Sequence, residues 1–228
     1  QTRSNTHFRL NKTIKTIVPK SFFEKKKIAL LTCITDGLYL KRYHQALEIK
    51  KKYCRYHNYS CLIYKINSND YKLKNGWIKI YKLIDILLNY DYVFCSDADV
   101  IITNRDIRIE DIILKYMKKN HSLLITTDFN SINSGNIIWK NCKKSYVILR
   151  KMLEIADDKI RYTLNKPFIP KGIYEQPTLI YLINNYIDVK ASIKIIPQYI
   201  LNSYTDIYKE LKKPNIIKKV NNQINRCN

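Results

Sequence analysis

Glycine, proline and acidic residues are scarce in this chain. Its 228 residues include only 4 glycines and 6 prolines, and 19 acidic residues stand against 41 lysines and arginines. The net charge of +22 favours an anionic partner, such as a polyanion, an acidic surface or a phosphorylated ligand. The scarcity of glycine argues against a glycine-rich phosphate loop near the N-terminus, because residues 32–37 contain only Gly37.

Several sequence patterns are also absent. No apolar run approaches the ~18 residues that span a bilayer, so we expect no membrane span in this chain. The six cysteines include no C-x-x-C pair and the histidines show no zinc spacing, which argues against structural zinc. Cys54 and Cys61 could instead form a bridge in an oxidising compartment.

The excess of basic residues has two explanations. Lys, Asn, Ile and Tyr are abundant, as in the proteins of AT-rich genomes, and the basic residues are spread along the chain. No zinc-finger, RNP-type or basic-zipper pattern accompanies them. Compositional drift is therefore favoured over a nucleic-acid-binding surface, which stays open as an alternative.

Short apolar runs alternate with amphipathic stretches from Lys27 onward. This order predicts a Rossmann-like βαβ unit and an α/β fold. We expect a lead-in or stem remnant at residues 1–26, one catalytic domain at 27–204 and a basic tail at 205–228. The predicted strands cover residues 28–33, 59–64, 92–95, 123–127 and 193–196, and the predicted helices cover 38–56, 76–88, 106–117, 143–156 and 174–184.

Two aspartates, Asp97 and Asp99, follow an apolar segment suited to a strand buried on both faces. Such a strand delivers its next residues to the carboxyl edge of the sheet, where open α/β sheets bind ligands. Two carboxylates this close repel each other unless a cation lies between them, and oxygen ligands suit Mg²⁺ or Mn²⁺ bridged to substrate phosphates. A pair of solvated turn aspartates is the alternative, because D-x-D alone is common.

Three further polar motifs surround this pair in the sequence. Trp77 and Lys79 lie in a predicted helix, where core packing and a solvated lysine are the alternatives to ligand contacts. Asn133-Ser134-Gly135 predicts a turn before a β-rich run, and its glycine would let the backbone approach a sugar closely. Glu175 and Gln176 open a predicted helix, where Glu175 could simply favour the helix dipole.

These motifs occur in a characteristic order. They are Leu31-Thr32-Cys33 with Asp36-Gly37, the segment from Tyr53 to Tyr59, Trp77 with Lys79, Asp97-Ala98-Asp99 with Asn104, Asn133-Ser134-Gly135, and Glu175-Gln176. The order resembles that of the GT-A nucleotide-sugar transferases. More narrowly it is similar to glycosyltransferase family 34, which includes fungal Golgi galactosyl- and mannosyltransferases and plant xyloglucan xylosyltransferases. The resemblance, from about Lys27 to Tyr204, implies a GT-A fold: a mixed, mostly parallel central sheet flanked by helices in a single domain.

The resemblance also implies a function. It predicts transfer of a sugar from a nucleoside diphosphate, with UDP favoured, to a glycan or glycoprotein acceptor, with retention of anomeric configuration. Asp97 and Asp99 would hold Mn²⁺ or Mg²⁺, Gln176 would lie beside the anomeric carbon, and Glu175 near donor or acceptor hydroxyls. The other implied nucleotide or donor contacts are Thr32, Cys33, Ile34, Tyr39, Trp77, Lys79, Ser96 and Ala98, and the other implied sugar or acceptor contacts are Asn133, Ser134, Gly135 and Asn202.

The chain departs from the family pattern at two places. An aspartate commonly precedes the Glu175-Gln176 pair, where this chain has Tyr174. The family usually has a histidine near the C-terminus as third metal ligand, and no histidine follows Asn202, so Asn202 or water would complete the shell. The four histidines present are expected to be surface residues: His7, His44, His57 and His121.

Two further expectations concern alternatives. A nucleotidyltransferase can share this sheet and its carboxylates, and it is the alternative enzyme, although it normally carries the glycine-rich loop that is missing here. Family relatives are Golgi membrane-anchored enzymes or, in AT-rich parasites and large DNA viruses, soluble versions. The chain is therefore expected to be either cytoplasmic or the lumenal domain of a Golgi-type enzyme.

Overall fold

A computed structural model describes residues 26–35, 37–66, 75–128, 131–156 and 174–203. The expected lead-in before Lys26, the turn residue Asp36, the polar loop at 67–74, Tyr204 and the basic tail at 205–228 lie outside these residues. Among the described helices, none is long and apolar enough to cross a membrane.

Six strands and seven helices alternate along the described chain. The strands are β1 (Ile28–Thr35), β2 (Ser60–Ile66), β3 (Tyr92–Ser96), β4 (Leu123–Asp128), β5 (Ser131–Lys140) and β6 (Ile193–Ile196). The helices are α1 (Leu38–His57), α2 (Ile78–Leu87), α3 (Ile109–Tyr116), α4 (Lys143–Ala156), α5 (Glu175–Asn185), α6 (Ile187–Ser192) and α7 (Gln198–Leu201), and a 3₁₀ turn at Asn75–Trp77 leads into α2.

The strands form one sheet in the order β2-β1-β3-β5-β4-β6. β1 pairs in parallel with β2 and β3, and β4 pairs in parallel with β6. β5 is antiparallel to both of its neighbours, β3 and β4. The sheet is therefore mixed and mostly parallel, which confirms the predicted fold class.

The apolar strands are buried on both faces, as their continuous hydrophobic runs predict. Successive residues of β1 alternate between two cores: Ala29 and Leu31 face one cluster, and Ile28 and Leu30 face the other. The first cluster takes its helical members from α2, α4, α5 and α6, and the second from α1 and α3. Helices thus cover both faces of the sheet, and the edge at the strand ends is where polar side chains collect.

Some element bounds agree with the sequence prediction and others do not. α4 and β6 begin and end at the predicted residues, and Asn58 ends α1 in the left-handed conformation with φ 59° and ψ 40°. Helix α3 begins at Ile109, later than predicted, and the two short helices α6 and α7 were not predicted. The predicted turn at Asn133-Ser134-Gly135 is wrong, because these residues lie inside β5.

Candidate active site

The carboxyl ends of β1 and β3 lie side by side. They bring the Leu31-Thr32-Cys33 motif next to the Asp97-Ala98-Asp99 motif. The Thr32 hydroxyl, which is buried, donates a 2.8 Å hydrogen bond to the carbonyl oxygen of Ser96. Asp97 follows directly, and its backbone N–H donates to the Gly135 carbonyl at 2.8 Å. The residue pair Asp97 and Asp99 is therefore held at the sheet edge by both neighbouring strands, as the sequence predicts.

The Lys79 side chain connects three of the predicted motifs. Its Nζ lies 2.8 Å from Asp97 Oδ1, 2.7 Å from Glu175 Oε1 and 3.0 Å from the Ser134 carbonyl oxygen. Only 11% of the side chain is exposed, so the alternative of a solvated helix lysine is wrong. Burial opposes its charge, but the two carboxylates outweigh burial and raise the pKa of Lys79 above its usual value. This ammonium therefore stays charged and holds the carboxylates in place.

A bulge in β5 brings Ser134 and Gly135 to this cluster. Ile125 of β4 pairs with Ile137, whereas its neighbour Thr126 pairs with Asn133, so the three residues between them leave the β4 ladder. Such bulges bend a strand and redirect its side chains. Asn133 stabilises the bend, since its Oδ1 accepts the Gly135 N–H at 2.8 Å and its Nδ2 donates to Asp128 at 2.7 Å.

The start of α5 completes the network. The buried Ser134 hydroxyl donates to Glu175 Oε1 at 3.1 Å and lies 3.2 Å from Gln176 Oε1. The same Gln176 oxygen accepts the Ser134 backbone N–H at 2.9 Å. Because the Gln176 amide oxygen faces that N–H, its Nε2 points away from Ser134, and it has no hydrogen-bond partner among the residues that the structure describes. Glu175 is only 7% exposed and acts here as a buried counter-ion to Lys79.

Two of the four glycines are required by close approaches in this network. A Cβ at Gly76 would lie 2.5 Å from Glu175 Oε2, and a Cβ at Gly135 would lie 2.9 Å from Asn133 Oδ1 and 3.5 Å from Asp97 Oδ2. A larger residue at Gly76 would therefore displace the Glu175 carboxylate, and one at Gly135 would displace the Asn133 amide, whereas the distance to Asp97 is an ordinary contact. Gly76 was not predicted as a site residue from the sequence. A glycine in a chain with only 4 glycines could have indicated a position where the backbone needs space.

A second lysine, Lys50, lies beneath the two aspartates, and it was not predicted as a site residue from the sequence. Lys50 of α1 is completely buried, and its Nζ donates to the Asp97 carbonyl oxygen. Burial lowers its pKa to about 8, against the attraction of Asp97 and Asp99. The sequence signal was its spacing, because Lys50 lies in the same helical stripe as Ala46, Leu47 and Tyr53, which are buried.

Asp97 and Asp99 differ in their surroundings. The Asp97 side chain is 40% exposed, and partial burial, with the charges of Glu175 and Asp99, raises its pKa against the attraction of Lys79. Asp99 is exposed. Among the described residues, no group of three or more His, Cys, Asp or Glu could hold a metal. Two carboxylates fit Mg²⁺ or Mn²⁺ that takes its remaining ligands from a diphosphate and water, and they do not fit a cation that needs a complete protein shell.

Four other predicted site residues differ in how far they are exposed to solvent. Ile34 is buried and Cys33 is half-buried, and burial raises the pKa of the Cys33 thiol to about 12. Trp77 lies in the hydrophobic core at 1% exposure, in agreement with the core-packing alternative. Tyr39 is exposed and stacks on Tyr43, with ring centroids 6.3 Å apart. Their predicted ligand contacts stay predictions.

The segment at Asn202 lies against the bulged strand. Asn136, the cross-strand partner of Ser96, donates through Nδ2 to the Leu201 carbonyl oxygen. Ser96 Oγ and Asn202 Nδ2 are buried and have no hydrogen-bond partner among the described residues. Such atoms are usually satisfied by a ligand or water. Ala98, between the two aspartates, is half-buried.

The described histidines do not replace the missing metal ligand. His57 packs among the rings of Tyr53, Tyr56 and Tyr59, and its Nε2 lies 2.6 Å from the Arg105 carbonyl oxygen. His57 and His121 are therefore half-buried, whereas His44 is exposed as predicted. His7 lies outside the described residues.

Comparison with known proteins identifies the family of this fold and site. The model of the galactosyl transferase GMA12/MNN10 family matches residues 24–125 and 115–217. A search of curated proteins gives no match. A solved glycosyltransferase involved in glycosylation of the major capsid of PBCV-1 superposes with a TM-score of 0.59 at 15% identity, over 86% of this chain and 98% of that one.

A second solved structure is less similar. The catalytic domain of Drosophila β1,4-galactosyltransferase 7, in complex with xylobiose, gives a TM-score of 0.39 at 15% identity, over 56% of this chain and 52% of that one. The PBCV-1 enzyme shows that the fold is that of GT-A glycosyltransferases. The family match covers most of the chain. This chain is therefore a glycosyltransferase that belongs to the galactosyl transferase GMA12/MNN10 family.

Proposed function

We propose that the protein is a metal-dependent glycosyltransferase that uses a UDP-sugar donor and a glycan or glycoprotein acceptor, with retention of anomeric configuration. The observation that carries this proposal is the convergence of Asp97, Lys79, Ser134 and Glu175 at one edge of the sheet, with the exposed Asp99 beside them. Residues 27–204 would form the catalytic domain.

Asp97 and Asp99 would hold Mn²⁺ or Mg²⁺. When bound, the cation supplies Lewis-acid stabilisation to the diphosphate that leaves as the glycosidic bond breaks. Lys79 orients Asp97 through its 2.8 Å ion pair, so this carboxylate is placed before any ligand arrives. The chain's high net positive charge would favour encounter with an anionic donor.

Gln176 and Ser134 would orient the transferred sugar. The Gln176 oxygen is occupied by Ser134, which leaves its Nε2 to donate to a sugar hydroxyl or to the leaving oxygen. Glu175 is engaged by Lys79 and Ser134 and is nearly buried, which does not suit a covalent nucleophile. We therefore propose displacement on the same face of the sugar, in which the acceptor attacks as the diphosphate departs.

The proposal is tested by calorimetric titration of UDP with and without Mn²⁺. We expect Mn²⁺-dependent binding by the wild type and loss of at least tenfold in affinity, about the lower end of effects at metal sites, for Asp99→Asn. Asp188→Asn, an exposed aspartate on α6, is the matched control and should bind as the wild type does. A screen of sugar nucleotides for Mn²⁺-dependent hydrolysis would then identify the donor. Absence of any UDP binding that depends on Mn²⁺ and Asp99 would disprove the proposal.

A further inference from the structure

Lys50 is a charged residue in a place where α1 is otherwise apolar. Its side chain is 0% exposed and shares the buried stripe of the helix with Ala46, Leu47, Tyr53 and Cys54. Burying an ammonium is unfavourable unless its charge and its donors are used. A hydrophobic residue at this position would fill the same space without that cost. The residue therefore needs an explanation other than core packing.

The Lys50 ammonium bonds to the main chain of the turn that carries the two aspartates. Its Nζ donates to the Asp97 carbonyl oxygen, which also accepts the Val100 N–H at 3.1 Å. On the opposite side, the Asp97 N–H donates to the Gly135 carbonyl at 2.8 Å. The peptide groups of this turn are thus held between α1 and β5.

Asp99 depends on this turn for its position. Its side chain is exposed and has no hydrogen bond or ion pair with any residue that the structure describes, whereas Asp97 is held directly by Lys79. The backbone between Asp97 and Val100 is therefore what places the Asp99 carboxylate. A donor that fixes the Asp97 carbonyl also fixes the direction in which this carboxylate points.

We infer that Lys50 is a positioning residue, which holds the turn from Asp97 to Val100 so that Asp99 meets the metal–diphosphate group of the donor. This inference rests on the proposed function, since it assigns Asp99 a metal to bind. The two lysines of the site thus have different roles. Lys79 pairs with the Asp97 and Glu175 side chains, whereas Lys50 donates to the main chain of the turn that carries Asp99.

This role predicts opposite effects on stability and on binding. In Lys50→Met the helix keeps a side chain of similar length, and the Asp97 carbonyl keeps the Val100 N–H, so no buried acceptor is left without a partner. Lys50 donates to a carbonyl and forms no ion pair with a described carboxylate, so its replacement leaves no buried counter-ion and removes the cost of burying an ammonium. We expect the melting temperature to be unchanged or higher. We expect Mn²⁺-dependent UDP affinity to fall about tenfold, as for other residues that orient metal ligands.

The test measures thermal unfolding and UDP titration, with and without Mn²⁺, for the wild type, Lys50→Met and Lys52→Met. Lys52 is the matched control, because it lies on the exposed face of the same helix. A double-mutant cycle with Asp99→Asn adds the specific readout. If Lys50 acts through Asp99, Lys50→Met should change UDP affinity little in the Asp99→Asn background.

Each result decides the inference. The combination of retained stability, weakened Mn²⁺-dependent UDP binding and non-additivity with Asp99→Asn supports it. Wild-type binding by Lys50→Met would overturn it while leaving the proposed function intact. A Lys50→Met chain that does not fold would also overturn it, because Lys50 would then support the fold and not the turn. Absence of Mn²⁺-dependent UDP binding in the wild type would overturn both proposals.

Discussion

Lys79 shows how much of the site depends on one side chain. It was predicted as a donor contact from the family resemblance, yet its three contacts are to Asp97, Glu175 and the Ser134 carbonyl. A positive charge between two carboxylates lets them lie close together without a cation of another kind. Asp97 and Glu175 are thus held in place before a donor binds, which is the condition for preorganised catalysis.

Lys79→Met should be strongly destabilising. Glu175 would remain buried without its counter-ion, and breaking a buried pair costs about 3–5 kcal/mol in the free energy of unfolding. Urea unfolding monitored by circular dichroism measures this loss. Lys82→Met, in the next turn of α2, removes a lysine that pairs with the 63% exposed Asp85 and lies 5.3 Å from the Tyr64 ring centroid, and it should cost much less, about 1 kcal/mol. Equal effects of the two substitutions would contradict the central role of Lys79.

At the scale of single elements, the end of α1 and the start of β2 bring two thiols together. Cys54 is buried, and Cys61 is half-buried on the adjoining strand; both are free thiols. A hydrogen bond from Cys54 outweighs burial and, with Lys51 and Lys50 nearby, lowers the pKa of Cys61 to about 7. The sequence allowed a disulfide between Cys54 and Cys61. In the structure these two residues are instead a hydrogen-bonded pair of thiols.

Cys61 should react with iodoacetamide faster than an ordinary thiol at neutral pH. The thiolate is the nucleophile, so the alkylation rate should rise with pH through a midpoint near 7. Cys54→Ala removes the hydrogen bond and should move that midpoint upward, toward the value of 9.0 for an unperturbed thiol. Mass spectrometry of peptides alkylated at a series of pH values measures both profiles. A midpoint near 9 in the wild type would contradict the thiol pair.

Elements differ in how well the sequence predicts them. The bounds of α4 and β6 follow from hydrophobic periodicity alone, because each lies against the core along its whole length. The Asn133-Ser134-Gly135 segment has turn-forming composition. It is a bulged strand instead, because the pairing with β4 shifts between Ile125 and Thr126 and the Gly135 carbonyl accepts the Asp97 N–H. Helical lysines usually face solvent, so the burial of Lys50 depends on a carbonyl that α1 itself does not contain.

For the whole molecule, the proposed metal ligands and the hydrophobic core are separate. The core is formed by apolar side chains on both faces of the sheet, and neither Asp97 nor Asp99 belongs to it. The fold should therefore not require a divalent cation, in contrast to small metal-dependent domains. The α/β class follows from the alternation of strands and helices, whereas the sheet order, the antiparallel β5 and the ion pairs at the edge do not.

Removal of divalent cations should abolish donor binding without unfolding the protein. With UDP and Mn²⁺ present, the melting temperature should rise, because a ligand that binds only the native state stabilises it. Addition of EDTA should return the melting temperature to its ligand-free value and no further. Differential scanning fluorimetry with UDP alone, Mn²⁺ alone and both together provides the controls. Unfolding caused by EDTA alone would show that a metal supports the fold.

The reversed strand β5 has a consequence for folding. It lies between β3 and β4 and is the strand that joins the β2-β1-β3 half of the sheet to the β4-β6 half. The site residues Lys79, Asp97, Ser134 and Glu175 come from separate parts of the chain and meet only when β5 is in place. Such non-local pairing forms slowly, because long loops have to close first. Nucleotide-binding capacity should therefore emerge late in refolding, together with the burial of Trp139, which pairs with both β3 and β4 near the end of β5.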